Sequence, residues 1–175
     1  MDDDVAVQDS TYTVGRRGVA GNFFVMKAVG AAAERGADLD EVHRIGEKVN
    51  SVTRSIGMAL TACTPPAKGS PLFDLPEDAV EMGVGIHGEP GRKREKLQSA
   101  DAMVSELVGA VVDDLPYSSG DRVALMVNGL GGTLLFCRQV SARPIPLNGW
   151  GWLCGTSLTN TMPSLSARWA GSSGA

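Results

Sequence analysis

The sequence predicts an α/β fold. Three observations carry that expectation. Three segments repeat apolar residues at helical spacing, one apolar run has the length and composition of a buried strand, and glycine-rich turns follow two strand-like segments. The 175 residues suffice for one ordinary domain with its own core.

Residues 2–14 alternate weakly, as in Asp4-Val5-Ala6-Val7, and read as a short strand or lead-in. Gly15-Arg16-Arg17-Gly18 reads as a turn. A first helix is predicted over residues 20–35, where Phe23, Met26, Lys27, Gly30, Ala31 and Glu34 follow helical spacing, with Gly36 as its C-cap. Its run of small residues, Ala28 and Gly30 to Ala33, suits close packing against a neighbour. Asp38-Leu39-Asp40-Glu41 opens a second helix, because the acids both cap it and suit the positive end of its dipole. Leu39, Val42, Ile45, Val49, Val52 and Ile56 form one apolar stripe along it. Thr64-Pro65-Pro66 stops regular structure, and residues 64–80 read as a loop.

Residues 80–87 read as a short strand entering a glycine-rich turn. Ser99 caps a third helix with apolar positions Ala100, Met103, Val104, Leu107, Val108, Val111, Val112 and Leu115. Residues 116–120 form a turn, and residues 122–127 a buried strand ending at Asn128-Gly129-Leu130-Gly131-Gly132.

Composition excludes several function classes. A formal net charge of -4 disfavours nucleic acid or an anionic membrane as partner. No run of about 18 apolar residues is present, so no transmembrane helix is expected. The acidic start, Met1-Asp2-Asp3-Asp4, does not resemble a secretory signal, and a cytoplasmic location is expected. Cys63, Cys137 and Cys154 are too far apart for a zinc site or a disulfide framework, and with only His43 and His87 as histidines no metal is expected.

The densest chemical signal is Gly83-Val84-Gly85-Ile86-His87-Gly88-Glu89-Pro90-Gly91. Glycines allow positive φ and close approach of backbone to a ligand. A histidine among them can present a ring nitrogen unobstructed, and neutral imidazole can add to a ketone carbon. On spacing alone a structural or solvent-facing histidine is the commoner case. The segment also matches G-x-G-x-x-G, but a dinucleotide site needs a helix opening at the third glycine, and Glu89-Pro90-Gly91 follows instead. The loop at residues 128–133 lacks a phosphate-loop ending and reads as a packing turn. Gly91-Arg92-Lys93-Arg94-Glu95-Lys96 reads as a solvated lead into the third helix, and His43 as a residue at the surface or core edge of the second.

Six segments occur in a familiar order: Gly15-Arg16-Arg17-Gly18, Lys48-Val49-Asn50, Ala62-Cys63-Thr64-Pro65-Pro66, the stretch from Gly83 to Gly91, Ser118 with Gly120-Asp121, and Asn128 to Thr133. Together they resemble the second half of the dihydroxyacetone (glycerone) kinase substrate-binding subunit, over about residues 4–133. The resemblance implies an α/β fold with a mixed β-sheet flanked by helices. It implies that His87 binds dihydroxyacetone covalently, as a hemiaminal, with Gly85 and Gly88 shaping the substrate site. It also implies that no cofactor belongs to this chain. The phosphoryl donor, ATP or a phosphotransferase-system relay, sits on a nucleotide-bearing L-type domain or subunit, and the intact family member is a homodimer. The function implied is a part in glycerol metabolism, supplying dihydroxyacetone phosphate.

Two departures qualify this. The family's first half, with its glycine-rich substrate loop and its acid and base residues, matches nothing here, so the chain reads as a fragment. It is then either a kinase piece, weak or inactive on its own, or an inactive remnant, or one kept as a binding or regulatory partner without kinase activity. An unrelated nucleotide-binding module using the two glycine loops is the third reading. All 20 Asp and Glu residues lie at or before Asp121, and Trp150, Trp152 and Trp169 all follow it. We therefore expect a partial domain over residues 1–135 and an irregular tail over residues 136–175, hypothesised to be a frame-shifted reading of a GC-rich gene. Sequencing the locus tests this, and a locus in which no single-base shift restores a family-like frame refutes it.

Overall fold

A computed structural model describes residues 1–8, 15–115 and 121–128, and the backbone of residues 154–157. Its elements are α1 (Asn22–Glu34), α2 (Leu39–Ser51), β1 (Thr53–Ser55), β2 (Met58–Ala59), β3 (Ala79–Met82), β4 (Lys93–Lys96), α3 (Ala100–Asp114), β5 (Val123–Met126) and β6 (Cys154–Ser157). Two three-stranded antiparallel sheets have the orders β1-β6-β5 and β2-β3-β4. A parallel bridge between Asp4 and Ser55 adds the N-terminal segment to the first and makes its pairing mixed. The result is an α/β fold, as the sequence predicts.

The helix ends follow local chemistry. Gly36 (φ +83°) closes α1, with its N–H donating to Ala33 O and the Ala37 N–H to Ala32 O. That pair of bonds satisfies carbonyls the helix leaves open. Asp38 caps α2, its Oδ1 accepting from the Glu41 N–H at 2.9 Å, and the Ser99 hydroxyl caps α3 by accepting from the Ala102 N–H. The start of α1 is capped from a distance. Gly21 has no side chain to offer, so the buried Asp3 carboxylate accepts from the N–H groups of Val19 and Gly21 at 2.9 and 2.7 Å.

Two expectations need correction. The stripe of α2 does not run on to Ile56, because the helix ends at Ser51. The buried Thr53 hydroxyl donates to Val49 O at 2.6 Å, and the chain turns into β1, where a β-branched residue is well accommodated. Leu39, at the head of that stripe, is 81% exposed. The basic run is solvent-exposed, as expected, but it is no mere lead-in: Lys93–Lys96 is strand β4, paired with β3 in the register Ala79↔Lys96 to Met82↔Lys93. Its charges are placed in pairs, Arg94 with Glu81 at 3.0 Å and Lys93 with Glu106 at 2.5 Å and with Glu95. A charged edge strand resists pairing with other chains. Within the tail, Cys154–Ser157 forms β6, which lies between β1 and β5. The expected boundary at 135/136 lies outside the described residues.

The main core packs one face of α3 on β3. Met103, Val104, Leu107 and Val111 meet Val80, Met82 and Ile56, and Val5, Ala6 and Met58 close around them. A smaller cluster, Ala28, Ala32 and Ile45, joins α1 to α2. Its alanines let the two helices approach closely, as the run of small residues in α1 implies.

The C-terminal end of α3 is tied back to the rest of the molecule by one carboxylate. Asp114 accepts from both terminal nitrogens of Arg16, at 2.7 and 2.6 Å, and from Arg54 Nε. The Arg16 bonds, opposed by partial burial and reinforced by Arg54, hold the Asp114 carboxyl below its usual value. A depressed folded pKa stabilises the fold above the ordinary carboxylate pKa, and that stability is lost as pH falls through the folded value. We predict that Asp114→Asn lowers unfolding stability at pH 7 by about 2 kcal/mol. Urea titrations should show the difference shrinking as pH falls through the acidic range.

Candidate functional site

β3 ends at Met82, and the chain enters a loop that returns as β4. The base of the loop is closed by backbone bonds from Gly83 N–H to Gly57 O (2.6 Å) and from Arg92 N–H to Met82 O (2.6 Å). Within it the Gly85 N–H donates to Glu89 O (3.1 Å) and the Gly88 N–H to Gly85 O (3.0 Å), so residues 85–89 form a tight turn with His87 at its tip.

Two glycines are required there. Gly88 has φ +82°, and a Cβ on it would lie 2.4 Å from Leu72 Cδ1. Leu72 comes from the long loop between β2 and β3 and is held there by its N–H bond to Cys63 O at 2.9 Å. A Cβ on Gly85 would lie 2.2 Å from Glu89 Oε2 and 3.0 Å from Arg17 Nη1. The backbone at Gly85 is therefore the surface against which Glu89 and Arg17 pack.

The three predicted site residues, Gly85, His87 and Gly88, thus belong to one hydrogen-bonded turn. The His87 side chain is 84% exposed. Its Nδ1 lies 3.1 Å from Glu89 Oε1, and its backbone N–H donates to Glu89 Oε2 at 2.9 Å. Partial burial pushes the Glu89 carboxyl up. Hydrogen bonds from its own backbone and from the ring and N–H of His87 outweigh that and leave it below the usual carboxylate range. The carboxylate is thus ionised near neutral pH and accepts both bonds.

Arg17 fastens the loop to the body. Its Nη2 donates to Gly83 O at 2.6 Å and its Nη1 to Pro90 O at 3.2 Å, spanning both ends of the turn. Its Nε donates to Asp4 Oδ2 at 2.7 Å. Asp4 is itself buried, and its other oxygen accepts from the Ala6 N–H at 2.9 Å. Burial raises the Asp4 carboxyl above its ordinary value despite Ala6 and Arg17, so the carboxylate depends on that cation.

Glu89, Arg17 and Asp4 were not singled out from the sequence. Glu89 and Arg17 do sit inside quoted segments, and a carboxylate two residues from a histidine was the available signal. His43 is exposed on α2. No helix follows Gly88, so the dinucleotide reading lacks its structural context. Residues 129–133 of the second glycine loop lie outside the described residues. A polar cleft of about 370 Å³, lined by residues that include Asp2, Arg16, Asn50 and Arg54, shares no residue with the His87 loop. Among the described residues no group of three His, Cys, Asp or Glu side chains could hold a metal, and no helix is long and apolar enough to cross a membrane.

Known proteins share this arrangement of segments. The Dak1 domain matches residues 1–144, reaching past Thr133, where the quoted motifs end. A Listeria innocua serovar 6a protein, the dihydroxyacetone-binding subunit DhaK of PTS-dependent dihydroxyacetone kinase 1, is 46% identical over 145 residues. The match takes in 83% of this chain and 44% of that one. The solved dihydroxyacetone kinase of C. freundii in complex with AMP-PNP and Mg2+ aligns with a TM-score of 0.73 at 28% identity, over 91% of this chain and 33% of that one. A dihydroxyacetone kinase operon co-activator, Dha-DhaQ, aligns with a TM-score of 0.68 at 32% identity, over 77% of this chain and 42% of that one. The chain spans less than half the length of the curated subunit it matches.

We predict opposite outcomes for two glycine-to-alanine changes. Gly88→Ala should destabilise by about 1–2 kcal/mol, through the left-handed φ alone, and should broaden the His87 ring signals in NMR spectra. Gly30→Ala, in the interior of α1 with nothing within 4 Å of a new Cβ, should stabilise by about 0.5–1 kcal/mol. Urea unfolding measures both.

Proposed function

The chain belongs to the Dak1 domain family, and from that premise we propose that it carries the substrate-capturing part of a dihydroxyacetone kinase, with His87 as the covalent anchor for the ketone. The observation that carries this reading is the position of the imidazole. It is largely exposed at the tip of a turn that is hydrogen-bonded internally and fastened to the body at both ends.

A ring nitrogen of His87 adds to the carbonyl carbon of dihydroxyacetone. The C–N bond forms as the C=O π pair moves to oxygen, which takes a proton, giving a hemiaminal. An alcohol offers no electrophilic carbon, so the site selects short ketones over polyols. Capture fixes the terminal hydroxyl for phosphoryl transfer and removes part of the orientational cost beforehand. The donor, ATP or a phosphotransferase-system relay, comes from a nucleotide-bearing L-type domain or subunit. The acid and base acting on the hydroxyl come from the part of the family domain that this chain does not match. Each such group contributes roughly 10²–10⁴-fold, so the chain alone phosphorylates weakly if at all. The family's role in glycerol metabolism and its homodimeric state come with the same reading.

The likeness to an operon co-activator favours a second reading, in which the chain captures a ketone to signal rather than to phosphorylate. The two part on one measurement: only the first yields dihydroxyacetone phosphate when an L-type subunit and the complementary part of the domain are supplied.

Capture itself is tested by carbon-13 NMR with dihydroxyacetone labelled at the carbonyl carbon. We predict a protein-dependent signal in the range of a tetrahedral carbon, kept in His43→Ala and lost in His87→Ala. A signal that survives His87→Ala, or no signal with the unaltered chain, refutes the capture reading.

A further inference from the structure

We propose that Glu89 is the positioning residue that sets the tautomer of His87, holding the ring proton on Nδ1 so that Nε2 carries the lone pair that attacks the ketone. This rests on the capture reading above and adds the atom that reacts and the group that selects it.

An ionised carboxylate only accepts hydrogen bonds. Glu89 Oε1 lies 3.1 Å from Nδ1, so a bond there requires the hydrogen on Nδ1. A neutral imidazole has a single N–H, so Nε2 is left bare. The same carboxylate is oriented at its other oxygen, which accepts the backbone N–H of His87 at 2.9 Å. Both oxygens are thus committed to one residue, and the carboxylate cannot rotate away without losing a backbone bond. The side chain of Glu89 lies against the bare Cα of Gly85, where a Cβ would fall 2.2 Å from Oε2. The closeness of Gly85 therefore serves the orientation of Glu89. The ring itself is largely exposed, so Nε2 is open to a small ligand.

The step balances. Nε2 bonds to the carbonyl carbon, the π pair passes to oxygen, and that oxygen takes one proton from solvent. The ring keeps its Nδ1 proton and its new positive charge is balanced by the Glu89 carboxylate. No oxidant or reductant enters.

Glu89→Gln makes a sharp test. The backbone N–H of His87 occupies the Oε2 position, so the amide oxygen of the glutamine is drawn there. Its NH₂ group then faces Nδ1 and donates to it, which moves the ring proton to Nε2. Nitrogen-15 NMR of the His87 ring reads the tautomer directly, at a pH where the ring is neutral, with His87→Ala assigning the signals. In the unaltered chain we expect Nδ1 protonated and Nε2 bare. In Glu89→Gln we expect the reverse, with dihydroxyacetone capture weakened at least about 10-fold and only a small fall in the urea midpoint, from loss of the hydrogen-bonded charge. Glu89→Ala should leave both tautomers populated and weaken capture less. An Nε2–H tautomer in the unaltered chain, or full capture in a Glu89→Gln variant whose tautomer has inverted, overturns the proposal. If the tautomers behave as stated but no ketone adduct forms in the unaltered chain, the capture reading fails while the control of the ring by Glu89 stands.

Discussion

The ion pair between Arg17 and Asp4 is the interaction on which the site depends. It joins three parts of the chain that are far apart in sequence: the N-terminal segment, the turn before α1, and the loop between β3 and β4. The guanidinium satisfies the carbonyls of Gly83 and Pro90 with one rigid fork, a geometry that lysine cannot reproduce. Asp4 in turn is buried enough that its charge needs the cation. Removing either partner strands a charge or the buried Gly83 carbonyl in a poorly solvated place, which costs more than the pair contributes when intact.

A second buried acid works beside it. Asp3 accepts from the Val19 and Gly21 N–H groups and, at 2.5 Å, from the Ser55 hydroxyl, and its backbone oxygen accepts the Ser55 N–H at 2.7 Å. The acidic start of the chain is therefore structural. Asp3 sets the entry into α1 and the place of β1, and Asp4 sets Arg17. The same segment sends Ala6 into the core beside Met82 and against the base of the glycine loop. The loop can then be both glycine-rich and well defined, because its rigidity is supplied from outside by bonds to groups that cannot move independently.

Much of this was legible in the sequence. The three helices, their caps at Asp38 and Ser99, the Gly36 terminus, the strand at Val123–Met126 and the loop carrying His87 follow from local rules of capping, period and glycine use. What was not legible depends on tertiary contact. Val52 and Ile56 continue the period of α2 by coincidence, and the Thr53 bond to Val49 together with pairing of β1 decides otherwise. The basic run is exposed, but its strand character is hidden in the sequence: Lys93 and Arg94 are paired with acids on α3 and β3, which only the fold brings near. The roles of Asp3, Asp4 and Arg17 exist only once residues separated by as many as 73 positions meet. The strand β6 has no periodic signal of its own and is defined by its neighbours β1 and β5. At the site, the ordered motifs, rather than spacing alone, drew attention to His87, whereas the 3.1 Å approach of Glu89 to its ring is visible only in the geometry.

The account makes His87 a nucleophile whose orientation is inherited inward, from Glu89 to Gly85, from the loop to Arg17, and from Arg17 to the buried Asp4. Its central claim is a bond between one ring nitrogen and one carbon. One-bond carbon–nitrogen coupling measures it, using dihydroxyacetone carrying carbon-13 at the carbonyl and protein carrying nitrogen-15 in its histidine rings. The account predicts a resolved coupling between the bound carbon and His87 Nε2. Coupling to Nδ1 or to His43, or a bound ketone with no coupling to any ring nitrogen, would contradict it.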